Sequence, residues 1–167
     1  KDAKKAERII VDARDYAERG INEIRHILRN IRGHSQGFLS LQNTLFDLSD
    51  SFRKATNIML IIEYGNWPRT FSKTIDSFFI SFTQECLTNA LKHGQATVII
   101  IMCWLRGSRI FMRVTDNGQG ALMPIKKGIG ISAMEEFVTL YDGSIVIQSD
   151  AGGFRITAEL LADKKPL

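Results

Sequence analysis

Apolar residues recur along the first part of the chain in the alternating three and four spacing of a long helix. Ala6, Ile9, Ile10, Ala13, Ala17, Ile21, Ile24, Leu28 and Ile31 form one narrow stripe over residues 2 to 32, the pattern of a helix that needs a partner helix to cover it. Gly33 and Gly37 break the pattern. A second amphipathic helix is predicted from about Phe38 to Ala55, with Leu41, Leu45, Leu48 and Phe52 on one face. The period then shortens: Asn57 to Tyr64 reads as a strand, and Gly65-Asn66-Trp67-Pro68 as a turn. A third helix follows, with Phe78, Phe79, Phe82, Cys86 and Ala90 on its apolar face. Ala96 to Leu105 and Arg109 to Thr115 read as a hairpin turning at Arg106-Gly107-Ser108. A helix from about Gly128 ends near Tyr141-Asp142-Gly143, and Ser144 to Ser149 and Phe154 to Leu161 close the sheet around Gly152-Gly153. The reading is α+β: a mixed sheet covered on one face by three helices and preceded by a long amino-terminal helix.

The third helix carries chemistry opposite its apolar face. Glu85, Asn89 and His93 stand at i, i+4 and i+8, with Lys92 beside them, so a carboxylate, an amide and two basic groups share one stripe. An ordinary solvated face explains scattered polar residues as well. Two later segments argue against that explanation. The strand ending at Asp116 runs into Asn117-Gly118-Gln119-Gly120, which sets a carboxylate at a strand tip with flexible backbone beyond it. An ionised carboxylate only accepts hydrogen bonds, which suits an exocyclic amine such as N6 of adenine. Lys126-Lys127-Gly128-Ile129-Gly130-Ile131 then opens a helix, where free backbone N–H groups and the positive end of the dipole favour phosphate.

In order and spacing these segments resemble the ATP-binding (GHKL, or Bergerat) domain shared by sensor histidine kinases, DNA gyrase, Hsp90 and MutL. Residues 85 to 93 correspond to its N box, 116 to 120 to the first glycine box and 128 to 130 to the second. The resemblance covers roughly residues 57 to 162 and implies a two-layer α/β sandwich. Only seven residues separate Gly120 from Gly128, similar to the short lid of the DesK-like sensor kinases that pair with NarL/LuxR-type response regulators. The stretch from Arg19 to Arg32 resembles the second helix of that group's dimerisation and phosphotransfer hairpin. The implied division is residues 1–34 as part of that hairpin and 35–167 as the ATP-binding catalytic domain.

The resemblance also implies roles. Asn89 corresponds to the Mg²⁺ ligand and Glu85 to the catalytic acidic residue that polarises the attacking group. Lys92 and His93 match phosphate-contacting positions. Asp116 matches the adenine-reading carboxylate, and Gly118 and Gly120 the turn beside the base. Gly128, Gly130 and Ile131 lie where the lid approaches the phosphates. The implied cofactors are ATP and Mg²⁺, and the implied activity is that of an ATP-dependent protein-histidine kinase. The implied partners are a response regulator and, through the helical hairpin, a second copy.

Three departures stand out. Phe154 occupies the slot where the family usually has a Thr beside the adenine. Glu135-Glu136-Phe137 replaces a Glu-Arg pair in the lid helix. No His is followed by an acidic residue, since His26, His34 and His93 precede Ile27, Ser35 and Gly94; the phosphoacceptor is therefore expected outside this chain, on a longer kinase of which this is the carboxy-terminal part. The competing readings are a nucleotide-free regulatory or dimerisation module with a degenerate pocket and an anti-sigma-factor serine kinase, against which the long amino-terminal helix counts.

Composition bounds the rest. The 167 residues suit one core domain plus an appendage, and 44% hydrophobic content excludes a disordered chain. Two cysteines read as reduced core thiols of a cytoplasmic protein. No apolar run approaches the roughly twenty residues that span a bilayer, so any membrane anchor of the longer protein is expected upstream. A net charge of +4, with the phenylalanines in core-like patterns, argues against a nucleic-acid partner.

Overall fold

The computed structural model describes residues 40–121, 125 and 128–162. The predicted amino-terminal helix, and with it the proposed hairpin segment 1–34, lies outside the described residues, as do Lys126 and Lys127.

Helix α1 (Leu41–Thr56) starts where the Ser40 side chain accepts the Asn43 N–H at 3.3 Å, which satisfies one of the donors that every helix start leaves open. It stops at Asn57, whose φ of 58° is left-handed. Leu41, Thr44, Leu45, Leu48 and Phe52 form its buried stripe. Strand β1 (Met59–Tyr64) follows, two residues later than the sequence pattern begins, because Asn57 belongs to the helix cap. Helix α2 (Lys73–Asn89) is capped in the same way by Ser72, and Asp76 in its first turn accepts the Phe71 N–H at 2.9 Å. Trp67, in the connection before α2, packs edge-on against Phe71 and Phe79.

Strands β2 (Val98–Arg106) and β3 (Arg109–Asp116) form the expected hairpin, and α3 (Ile129–Leu140) leads to β4 (Ser144–Asp150) and β5 (Gly153–Leu161). The sheet order is β1-β2-β3-β5-β4; β1 pairs parallel with β2, and the other pairs are antiparallel. A parallel pair needs a crossover, and α2 supplies it. Burial alternates along the central strands. Ile99, Ile101 and Cys103 of β2, Ile110, Met112 and Val114 of β3, and Ile156, Ala158 and Leu160 of β5 are all buried, while Met102 and Val146 are exposed. One sheet face therefore carries the core under the helices, as the pattern predicts for the two-layer architecture.

The two helices that frame the site are joined by aromatic rings. Phe78 of α2 and Phe137 of α3 stack with centroids 4.3 Å apart, and Phe137 stacks in turn on Tyr141 at 5.0 Å. Such contacts add about 0.5–1.5 kcal/mol each beyond the area they bury. Phe137, a departure from the family pattern, thus serves as the brace between α3 and α2.

Both cysteines are free and buried. Burial pushes the Cys103 thiol up to about 12 and raises Cys86 well above its ordinary value, the latter also under the charges of Glu85 and Asp116. The native chain is expected to resist alkylation at pH 8, whereas the denatured chain should titrate both thiols. Because the folded pKa of Cys103 is raised, its contribution to stability is complete below the ordinary thiol value of 9.0 and is lost as pH climbs toward about 12. Denaturant midpoints measured across that window should fall less steeply in Cys103→Ala. An unchanged slope would sink the assignment.

Candidate nucleotide site

The polar side of α2 is organised by one hydrogen bond and one irregularity. Asn89 Nδ2 donates to Glu85 Oε1 at 3.3 Å, one turn away. Immediately beyond, residues Ala90–Gly94 close a π turn, and Gln95 ends it with a φ of 50°. A turn closed i→i+5 is wider than an α turn, so it shifts the angular positions of its residues relative to a regular helix. Glu85, Asn89 and His93 all line one cavity, and Lys92 does not.

Asp116 is held by the segment that follows it. Its Oδ1 accepts the Gly118 N–H at 2.9 Å, and the residue is 6% exposed. Asn117 pins the end of β3 to the start of β2: its Oδ1 accepts the Thr97 and Val98 N–H groups, and its Nδ2 donates to Thr97 Oγ1, each at 2.9 Å. Gln119 ties the same loop to the π turn, donating from its backbone N–H to the Gly94 carbonyl at 2.8 Å and from Nε2 to the His93 carbonyl at 2.9 Å. These bonds satisfy carbonyls that a helix end leaves open. Gly118 lies so close to Gly94 that a Cβ would run into its carbonyl. Asn117 and Gln119 were not singled out from the sequence, because their bonds depend on the register of β3 against β2 and on the π turn.

The remaining wall comes from the lid side. Gly128 caps α3 without a side-chain hydrogen bond, so the first-turn N–H groups face the site without a capping side chain. Gly130 stands against the Glu85 carboxylate, which a Cβ there would displace. Ser149 Oγ accepts the Ala121 N–H at 2.6 Å and donates to the Gly153 carbonyl at 3.2 Å, anchoring the segment that leads into the lid. The resulting cavity of about 360 Å³ is lined by the polar groups Glu85, Asn89, His93 and Asp116, by Gly94, Gly120 and Gly128, and by Ala90, Ala121, Ile125, Ile131 and Phe154. Of the residues expected at the site, Gly118 and Gly130 shape it from behind rather than line it.

Residues 76–164 match the family described as histidine kinase-, DNA gyrase B- and HSP90-like ATPase. The chain belongs to that family. It is 26% identical over 154 residues to the sensor histidine kinase DesK of Bacillus subtilis (strain 168), covering 91% of this chain and 40% of DesK. It is 28% identical over 142 residues to LiaS of the same organism, covering 83% of this chain and 39% of LiaS. The chain thus spans about two fifths of the length of these curated relatives. The histidine kinase domain of the blue-light-activated histidine kinase from Erythrobacter litoralis EL346 shares the fold, with a TM-score of 0.60 at 12% identity over 87% of this chain and 75% of that one. The catalytic domain of histidine kinase ThkA does so with a TM-score of 0.58 at 17% identity, over 73% of this chain and 91% of that chain. An ATPase domain implies ATP binding.

Among the described residues, no three His, Cys, Asp or Glu side chains gather as a metal site, and Asn89 on the cavity wall offers a hard cation its side-chain oxygen. The Asn89 amide gives its N–H to Glu85, which leaves Oδ1 for another partner. One protein oxygen completed by phosphate oxygens and water is a donor set that suits Mg²⁺, an ion that prefers octahedral oxygen ligands and keeps part of its water. No described helix is long and apolar enough to cross a membrane.

Proposed function

We propose that this chain is the ATP-binding, catalytic part of a two-component sensor histidine kinase. The observation that carries the reading is the convergence of the Glu85–Asn89 pair, buried Asp116 and the uncapped start of α3 on one cavity. In this reading Asp116 accepts a hydrogen bond from the adenine amine, with Gly118 and Gly120 shaping the turn beside the base. Asn89 Oδ1 contributes to holding Mg²⁺, which when bound neutralises triphosphate charge. His93 contacts phosphates from the cavity wall and Lys92 reaches them from beyond it, and Gly128, Gly130 and Ile131 let the backbone of α3 approach them. Glu85, held by Asn89, orients and polarises the attacking group. Positioning and charge neutralisation are what phosphoryl transfer chiefly requires.

In the whole protein the γ-phosphoryl group would pass to an imidazole nitrogen of a His outside this chain, the bond to ADP breaking as the P–N bond forms. It would then pass to an Asp of a NarL/LuxR-type response regulator. Residues 1–34 would form part of the hairpin that joins two copies, and 35–167 the catalytic domain.

Calorimetric titration of ATP, with and without Mg²⁺, tests the core of this reading. The wild-type chain should bind ATP more tightly with Mg²⁺, and Asn89→Ala should lose most of that difference, roughly tenfold, while keeping metal-free binding. A folded chain that takes up no ATP at millimolar concentration would put the nucleotide-free regulatory module in its place.

A further inference from the structure

We propose that Gln119 is a positioning residue for phosphate binding: from the glycine loop it clamps the end of the π turn and so fixes His93 on the cavity wall. The inference rests on the nucleotide-binding reading and deepens it. His93 lines the cavity, yet the residue is exposed, and among the described residues no hydrogen bond holds its imidazole. The direction of that ring is therefore set by the backbone that carries it.

That backbone is irregular. The π turn Ala90–Gly94 stops at Gln95, whose φ is 50°, and carbonyls at a helix end have no partner within the helix. Two successive ones are taken by a single residue: the Gln119 backbone N–H donates to the Gly94 carbonyl at 2.8 Å, and its Nε2 to the His93 carbonyl at 2.9 Å. One bond alone would leave a pivot. Two, from one residue to neighbouring carbonyls, fix the peptide planes that follow His93 and with them the direction of its Cα–Cβ bond. Gln119 is itself held in place, because the preceding Gly118 N–H donates to Asp116 Oδ1 at 2.9 Å. Two adjacent residues thus join the carboxylate assigned to the base with the imidazole assigned to the phosphates. Any residue at 119 keeps the backbone bond, whereas the bond to the His93 carbonyl needs a side chain that carries a donor.

The test is a double-mutant cycle for Mg²⁺-ATP binding on the whole 167-residue chain: wild type, Gln119→Met, His93→Ala and the two together, with thermal unfolding recorded for each. Met keeps the length and neutrality of Gln and removes the donor; Gln119→Ala gives the same reading if Gln119→Met fails to fold. Gln119→Met should weaken ATP binding by roughly three- to tenfold, as the loss of one hydrogen bond allows. In the His93→Ala background the same change should cost nothing further, since its effect passes through the missing imidazole. Adenosine, which has no phosphate for His93 to meet, is titrated by NMR shift changes and should bind wild type and Gln119→Met alike. Unchanged ATP affinity in Gln119→Met, additive losses in the cycle, or an adenosine loss as large as that for ATP overturns the proposal alone, the last reducing Gln119 to a prop of the base loop. Full ATP affinity in His93→Ala removes the phosphate role of His93 and the proposal with it. Absence of any nucleotide binding by the wild type overturns the reading beneath it as well.

Discussion

Asp116→Asn is expected to weaken ATP binding by roughly a hundredfold or more while the domain stays folded. The asymmetry follows from how the native carboxylate is used. One oxygen accepts the Gly118 N–H at 2.9 Å, and an Asn can keep that bond by turning its own oxygen toward the loop. Its NH₂ group then faces the cavity, where the carboxylate presented an acceptor. A ligand amine that met an acceptor now meets a donor, and both are left unsatisfied in a pocket that is mostly apolar on that side. Loop geometry is preserved, so the unfolding midpoint should move by little. Titration calorimetry paired with thermal unfolding separates the two effects. Near-native affinity in Asp116→Asn, or loss of affinity only through unfolding, would remove Asp116 as the reader of the base.

The fold was legible in the sequence because two periods alternate clearly along it. The three-four spacing of Leu41, Leu45, Leu48 and Phe52, and the alternate burial of Ile110, Met112 and Val114, are what α1 and β3 display. Boundaries moved where a cap decided them, as at Asn57. The site was legible in its outline: Glu85, Asn89, His93, Asp116, Gly120, Gly128 and Ile131 line one cavity. The π turn over Ala90–Gly94 was not legible, since it widens a single turn and a regular helix period carries no trace of it. Lys92 was placed by that regular period beside the other polar groups, and it is not among the residues that line the cavity. Asn117 escaped notice for a different reason: Asp-Asn-Gly reads as a turn, and only the paired start of β2 shows that its amide holds Thr97 and Val98.

Gly118→Ala should cost about 1–3 kcal/mol, the range for overpacking, and abolish nucleotide binding with it. A Cβ at this position would strike the carbonyl of Gly94, with the Gly94 carbonyl carbon 2.6 Å and its Cα 2.8 Å away. These are backbone atoms, so no rotamer change relieves the clash; either the loop or the π turn must shift. A shift separates the Gln119 N–H from the Gly94 carbonyl, now 2.8 Å apart, and strains the bond from Gly118 to Asp116. The Asp116 loop and the π turn would move apart, and with them the two sides of the cavity. Gly128→Ala is the internal comparison. A Cβ there meets nothing within 4 Å, and an Ala in place of Gly at a helix N-cap costs at most about 1 kcal/mol. Denaturant unfolding of the two variants should therefore differ by more than the experimental error, with Gly118→Ala the weaker. Equal midpoints would mean that the contact between the glycine loop and the π turn does not hold the cavity together.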